Sequence, residues 1–93
     1  MHIRDLEDLR NYVRHTICDH NELENNVFDI TERILIRRGK PCGIFFCLHG
    51  PRSVKLTAIW EIERNLILFY GSAGQRLRTT HLAACSMIQL CAA

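Results

Sequence analysis

Residues 43–70 read GIFFCLHGPRSVKLTAIWEIERNLILFY, and the pattern of this stretch is the main evidence for a β-sheet. Within it, residues 54–62 alternate between apolar and mostly polar side chains, which is typical of a β-strand with one buried face. Turn-forming residues interrupt the stretch twice, as GPRS at 50–53 and as ERN at 63–65. We therefore predict three strands in this region, at about 43–49, 54–62 and 66–70.

Residues 27–37 show the same period of two and are predicted to form a further strand. Val27, Ile30 and Ile34 also fall at helical spacing, so a helix over 27–38 is the competing interpretation. The β-branched residues and the turn-forming sequence GKPCG at 39–43 favour the strand. Short links between consecutive strands favour neighbours in space, so the four strands predict an antiparallel meander.

Residues 5–18 are predicted to form an amphipathic helix. Asp5 is a suitable N-cap, and four apolar residues between Leu6 and Ile17 recur at intervals of three and four, which aligns them along one stripe. That stripe needs a partner surface, and one face of the sheet is available. The sequence thus predicts a single α+β domain over 1–93: an N-terminal amphipathic helix packed on a four-stranded antiparallel meander. For the tail, 75–93, a C-terminal helix is left open.

Composition indicates a small globular protein of the cytoplasm. The 93 residues are 47% hydrophobic and 24% charged, which allows one hydrophobic core. The five cysteines are an odd number and lie in apolar runs, as buried thiols in a reducing compartment do. The charged start does not resemble a signal peptide, and the low-charge tract 82–93 is too short to span a membrane. We expect no membrane partner.

Charge is distributed unevenly along the chain. Residues 1–32 hold three arginines and eight acids, a net charge of −5, whereas residues 33–93 hold nine basic residues and two acids, a net charge of +7. Such asymmetry indicates either a polyanionic partner or an electrostatic contact between the two halves. The sequence leaves both interpretations open.

Two predicted strands, 43–49 and 66–70, are apolar on both faces. We assign Trp60 and Tyr70 to the core side of the sheet, which leaves a second apolar surface. A one-sided antiparallel sheet would be polar there, and an apolar patch of that size marks an interaction surface. We therefore predict a homodimer that associates through four residues of this second face: Phe45, Cys47, Ile67 and Phe69.

The basic half also contains candidate ligands for a phosphate or a nucleic acid. A glycine-rich turn over 71–74 follows a strand, and its backbone N–H groups can approach an anion closely. Basic side chains project from the polar strand positions and from the residues after this turn, and sheets that bind single strands combine such cations with aromatic rings. The predicted anion-binding or nucleic-acid-binding residues are Arg33, Arg37, Lys55, Gly71, Ser72, Gly74, Arg76 and Arg78.

We identify no catalytic residue, metal site, cofactor or small-molecule substrate in the sequence. Two Cys-x-His pairs, at 18–20 and 47–49, lack the spacing of structural zinc sites, and no nucleophile, base and orienting group form a recognisable set. The first functional hypothesis is therefore a non-catalytic protein-interaction or regulatory module that associates with itself. The alternative is nucleic-acid or phosphoanion binding by the basic half.

Overall fold

The computed structural model describes residues 3, 5–25 and 27–82. These residues form one helix packed on an antiparallel sheet whose strand order follows the chain, so the predicted α+β arrangement is confirmed. The sheet has five strands rather than four. The elements are α1 Leu6–His20, β1 Ile30–Arg37, β2 Lys40–His49, β3 Lys55–Glu61, β4 Leu66–Tyr70 and β5 Arg76–His81, with a short 3₁₀ turn at Pro51–Ser53.

The fifth strand replaces the first part of the tail for which a helix was considered. Residues Arg76–His81 pair antiparallel with β4, and their β-branched Thr79 and Thr80 suit a strand. The rest of the suggested C-terminal helix falls on 83–93, outside the described residues. Within the described part of the chain, no helix is long and apolar enough to cross a membrane.

Helix α1 begins at the predicted cap. The backbone N–H of Asp8 donates a hydrogen bond to Oδ1 of Asp5 at 2.9 Å, which satisfies one of the unpaired donors of the first turn. The helix continues two residues beyond the predicted end, to His20, and the side-chain amide of Asn21 then donates to the carbonyl oxygen of Ile17 at 2.8 Å. The side chains that α1 buries against the sheet include Leu9, Val13 and Ile17.

The turn between β1 and β2 is shorter than predicted. Arg38 and Gly39 form a two-residue hairpin turn with φ of 52° and 78°, the combination of positive angles that matches strand twist. Strand β2 therefore begins at Lys40 rather than at 43, and the expected turn over 39–43 lies mostly within it. Register shifts at Leu35/Ile36, so that Cys42 is the extra residue of a bulge.

The link between β3 and β4 decides which side of β4 faces the helix. Glu61 pairs with Leu66 and Trp60 pairs with Ile67, so four residues separate the strands instead of the predicted three. A shift of one residue moves every side chain to the opposite face. Ile67 and Phe69 therefore lie in the core beneath α1, and the assignment of Tyr70 to the core side was wrong.

The core lies between α1 and the sheet face that α1 covers, here called the helix face. Its most fully buried side chains are Phe46, Leu9, Ile44, Leu48, Ile67 and Val13. Trp60, predicted as a core residue, is 2% exposed, and its indole N–H donates to Oδ1 of Asn65 at 3.1 Å. Asn65 adopts φ of 48° in the β3–β4 turn, a left-handed conformation that asparagine tolerates.

An ion pair holds α1 to the edge strand β1. The Arg10 guanidinium donates to both carboxylate oxygens of Glu32, at 2.7–3.0 Å, and this bond is the main reason that the pKa of Arg10 is raised. Glu32 faces the helix because it pairs with Phe46, which explains an acid on the apolar side of a strand. Both partners belong to the acidic half of the chain.

Candidate nucleic-acid interface

The sheet face opposite α1, here called the distal face, carries most of the predicted basic site. Strand alternation and register assign Arg33, Phe45, Ile59, Leu68 and Thr79 to one row across all five strands. A neighbouring row contains Thr31, Cys47, Thr57, Tyr70 and Arg76. In these rows the interior strands contribute apolar and aromatic side chains together with Thr57, and the two edge strands contribute the arginines. The distal face is therefore a mixed surface with cationic edges.

Each distal-face aromatic ring has an arginine on the adjacent strand. The Arg33 guanidinium carbon lies 5.7 Å from the ring centroid of Phe45, and the Arg76 guanidinium carbon lies 6.0 Å from that of Tyr70. Register explains both contacts, since Arg33 pairs with Phe45 and Arg76 pairs with Tyr70. Both rings are partly exposed and both arginines are exposed. Two sites thus combine a π surface with a positive charge.

Two further cations, Arg37 and Lys55, occupy distal-face positions by strand alternation. Neither they nor Arg33 and Arg76 form an ion pair with any residue that the structure describes. The one carboxylate among the distal-face strand positions belongs to Glu61, which accepts two hydrogen bonds of 2.8 Å from Arg64. The positive charge of this face is therefore not cancelled by its own acids.

A concavity of about 580 Å³ lies at the end of the distal face nearest the β1–β2 and β3–β4 turns. It is lined by Leu35, Arg37, Cys42, Ile59, Glu61, Glu63 and Arg64. The concavity continues the apolar surface around Ile59 and combines it with two guanidinium groups and two carboxylates. It therefore extends the distal face toward Arg37.

The predicted glycine-rich turn joins two strands of a hairpin, so no helix N-terminus follows it. Its amides bond within the turn: the N–H of Gly71 donates to the carbonyl oxygen of Gln75 at 2.9 Å, and that of Gly74 to Gly71 at 3.0 Å. The N–H of Ala73 donates to the Gln75 side chain at 3.1 Å. Gly74 has φ of 82°, a left-handed backbone conformation that glycine adopts more readily than other residues. The N–H groups of Gly71, Ala73 and Gly74 are thus occupied by hydrogen bonds within the turn, and anion binding by Gly71, Ser72 and Gly74 stays a prediction.

Arg78 lies apart from the other predicted cations. It pairs with Phe69, which places it on the helix face, where it borders a small cleft with Thr16 and His20. The bulge at Phe69/Tyr70 makes Leu77 the extra residue of β5, so Arg76 remains on the distal face. The two arginines of β5 therefore serve opposite faces.

The predicted self-association patch is divided between the two faces. Phe45 and Cys47 lie on the distal face, but Ile67 is 0% exposed and Phe69 is 3% exposed beneath α1. Leu66, Leu68 and Tyr70 occupy the distal positions of β4 instead. The parity of the β3–β4 link was the signal that could have identified them.

The cysteine and histidine pairs do not converge. Cys18 and His20 belong to α1, whereas Cys47 and His49 belong to β2, where Nε2 of His49 lies 3.1 Å from Oγ1 of Thr31. Burial raises the pKa of the Cys18 thiol, and Arg14 lowers it by a smaller amount. Among the described residues, no three His, Cys, Asp or Glu side chains are grouped so that they could hold a metal ion.

No protein-family model matches the chain, and no match emerges from comparison with curated proteins or with solved structures.

Proposed function

We propose that this protein is a non-catalytic module that binds single-stranded nucleic acid on the distal face. One observation supports the proposal most strongly: two partly exposed aromatic rings, Phe45 and Tyr70, each adjoin an arginine on the same sheet face. Base stacking on aromatic side chains and cations along the backbone path are the two components of single-strand binding. Arg37 and Lys55 add further positive charge to that path.

The dimensions of the sheet suit a short segment of nucleic acid. The row from Arg33 to Thr79 crosses five strands, so its ends lie about 19 Å apart at the usual strand spacing. Sheet platforms with two or three aromatic positions stack two or three bases. In this arrangement, bases stack on Phe45 and Tyr70, and phosphates contact Arg33 and Arg76 at opposite edges.

Unpaired bases fit this surface better than a duplex does. Stacking on Phe45 and Tyr70 requires exposed base faces, which a duplex keeps within its own stack. Sequence reading in a duplex uses an element that enters a groove, whereas the distal face is a sheet surface. The proposal therefore concerns single strands, RNA or DNA, and the 2′-hydroxyl of RNA is the group by which a protein distinguishes them.

The first sequence hypothesis, association of two copies through a second apolar face, has less support at this surface. Two of its four residues, Ile67 and Phe69, are in the core. Two distal faces in contact would also oppose Arg33, Arg37, Lys55 and Arg76 to the same residues of the other copy. Like charges enclosed in an interface are unfavourable, so a polyanion is the better partner.

The test is a fluorescence-anisotropy titration of labelled oligo-U, oligo-dT and a DNA duplex of the same length. We expect the two single strands to bind more tightly than the duplex. If four phosphates are neutralised, the slope of log K against log salt is about −2.8. Affinity then falls about 50-fold between about 50 and about 200 mM salt.

Two variants on β5 provide a matched pair. Arg76→Gln on the distal face should weaken single-strand binding and reduce the salt slope by about 0.7, whereas Arg78→Gln on the helix face should leave both unchanged. Equal effects of the two variants, or equal affinity for single strands and duplex, would contradict the proposal. Binding of an acidic polypeptide in place of nucleic acid would instead identify a protein partner.

A further inference from the structure

The two edges of the sheet differ in composition. Edge strand β1 exposes two isoleucines, Ile34 at 44% and Ile36 at 60%, whereas edge strand β5 has the sequence RLRTTH. Edge strands are usually short or carry charged side chains that discourage pairing with another strand. Strand β1 has eight residues and, within the described part of the chain, pairs only with β2.

The backbone groups on the outer side of β1 can be identified from its register. The N–H of His49 donates to the carbonyl oxygen of Asp29 at 2.9 Å, so Asp29 and His49 form a hydrogen-bonded pair. In an antiparallel ladder such pairs alternate with pairs that face outward. The N–H and C=O groups of Ile30, Glu32 and Ile34 therefore point away from β2, toward the edge.

We propose that β1 pairs antiparallel with β1 of a second copy of this chain, with Ile34 on the two-fold axis. In this register Ile34 lies opposite the same residue of the other copy, and Ile36 lies opposite Glu32. Diagonal neighbours in a sheet are also within contact distance, so Ile34 and Ile36 of both copies form one apolar cluster. The carboxylate of Glu32 is already bound by Arg10.

Repulsion between like charges favours this register over the two adjacent registers. Moving the pairing by one step toward the N-terminus places Arg33 opposite itself, and moving it one step toward the C-terminus places Arg33 opposite Arg37. Like charges directly opposite each other destabilise a strand pair. With Ile34 on the axis, Arg33 lies opposite Leu35 and Arg37 lies opposite Thr31. The sequence of β1 is therefore self-complementary about Ile34.

This pairing is independent of the proposed function but would affect it. The two distal faces would join into one continuous surface of ten strands. Arg33 and Arg37 of both copies would lie near the junction between the two β1 strands. A second segment of single-stranded nucleic acid could then bind next to the first, on the other side of the β1–β1 junction. Because the pairing needs no ligand, it is tested in the absence of nucleic acid.

The experiment is sedimentation equilibrium of the full chain and two matched variants. We expect the wild type to sediment with twice the 10.8 kDa chain mass. Ile34→Lys, which places a second charge beside Arg33 at the edge, should weaken dimerisation at least about tenfold in Kd. Val27→Lys removes an apolar side chain that is more exposed than Ile34, at 58% against 44%, from outside the strand and should leave dimerisation unchanged.

A second variant covers the case in which Ile34→Lys fails to fold. Ile34→Pro removes an N–H that points outward, which an edge strand tolerates, and it should also yield a monomer. An intermolecular nuclear Overhauser effect between Ile34 methyls of labelled and unlabelled copies would support the register. A wild-type chain that stays monomeric at about 1 mM, or equal dimerisation of all the variants, would overturn the proposal.

Discussion

The two faces of the sheet have different chemistry although the same strands build them. On the helix face, Ile44, Phe46 and Leu48 of β2 are buried under α1 with at most 1% exposure. On the distal face, Phe45 between them is partly exposed and lies beside Arg33. Alternation along one strand thus separates core side chains from those of the proposed binding surface. A substitution on one face should change the unfolding free energy, and its neighbour on the other face should change binding.

The two adjacent phenylalanines of β2 should differ most in their effect on the unfolding free energy. Phe46→Ala should lower the unfolding free energy by about 3–5 kcal/mol, because it leaves a cavity at a side chain with 0% exposure. Phe45→Ala should lower it by less than about half of that, since its ring is partly exposed. Urea denaturation measures both values. Equal losses would show that the distal face is part of the core.

A second comparison uses the adjacent aromatics of β4 and measures binding. Tyr70→Leu keeps apolar bulk but removes the ring, so it should weaken single-strand affinity by about 1–3 kcal/mol, roughly 5- to 150-fold in Kd. Phe69→Leu should leave affinity unchanged and lower stability instead, because Phe69 is buried against Tyr12, with ring centroids 6.3 Å apart. A binding loss confined to the Phe69 variant would reverse the assignment of the faces.

A smaller effect concerns the ion pair between α1 and β1. Arg10 and Glu32 are 42% and 31% exposed in their side chains, so solvent screens their attraction. A double-mutant cycle of Arg10→Ala and Glu32→Ala should give a coupling energy of about 1 kcal/mol or less. Raising the salt concentration should reduce it. Coupling well above that value would mean that the ion pair, rather than the core, fixes α1 on the helix face.

The smallest effect concerns the buried thiol of Cys18. Because burial raises its pKa in the folded state, the unfolded chain loses this proton at lower pH than the folded chain does. The contribution of the Cys18 thiol to the unfolding free energy should therefore be fully present below the ordinary thiol pKa. It should be lost as the pH rises from that value through the raised pKa of the folded state. Urea denaturation at increasing pH under reducing conditions measures this slope. Cys18→Ala should reduce the slope, and an unchanged slope would contradict the assignment.

Patterns of period and spacing predicted most elements of this fold. The alternation over 54–62 identified β3, and the apolar stripe from Leu6 to Ile17 identified α1. Trp60 was assigned to the core correctly because β3 has polar residues on only one side. For β4 the pattern gave no such guide, since LILFY is apolar on both faces. Its orientation depended on whether the link to β3 has three residues or four.

The candidate site was predicted in part for the same reasons. Arg33, Arg37 and Lys55 were placed on one face because they alternate with apolar residues in their strands. Arg76 and Arg78 were grouped because strand β5 was not recognised, and the bulge at Leu77 in β5 places them on opposite faces. Tyr70 was assigned to core packing in preference to ligand stacking because the parity of the β3–β4 link was misjudged. The length of a turn must therefore be known to a single residue before a sequence shows which side chains share a sheet face.

A methyl NMR titration with oligo-U and oligo-dT would show which face of the sheet binds single-stranded nucleic acid. Ile59 and Leu68 lie on the distal face, and Ile44 and Leu48 on the helix face, so the four methyl-bearing side chains form an internal control. We predict ligand-dependent shifts at Ile59 and Leu68 and none beyond small changes at Ile44 and Leu48. Shifts confined to the helix face, or no shifts with either ligand, would contradict binding of single strands on the distal face.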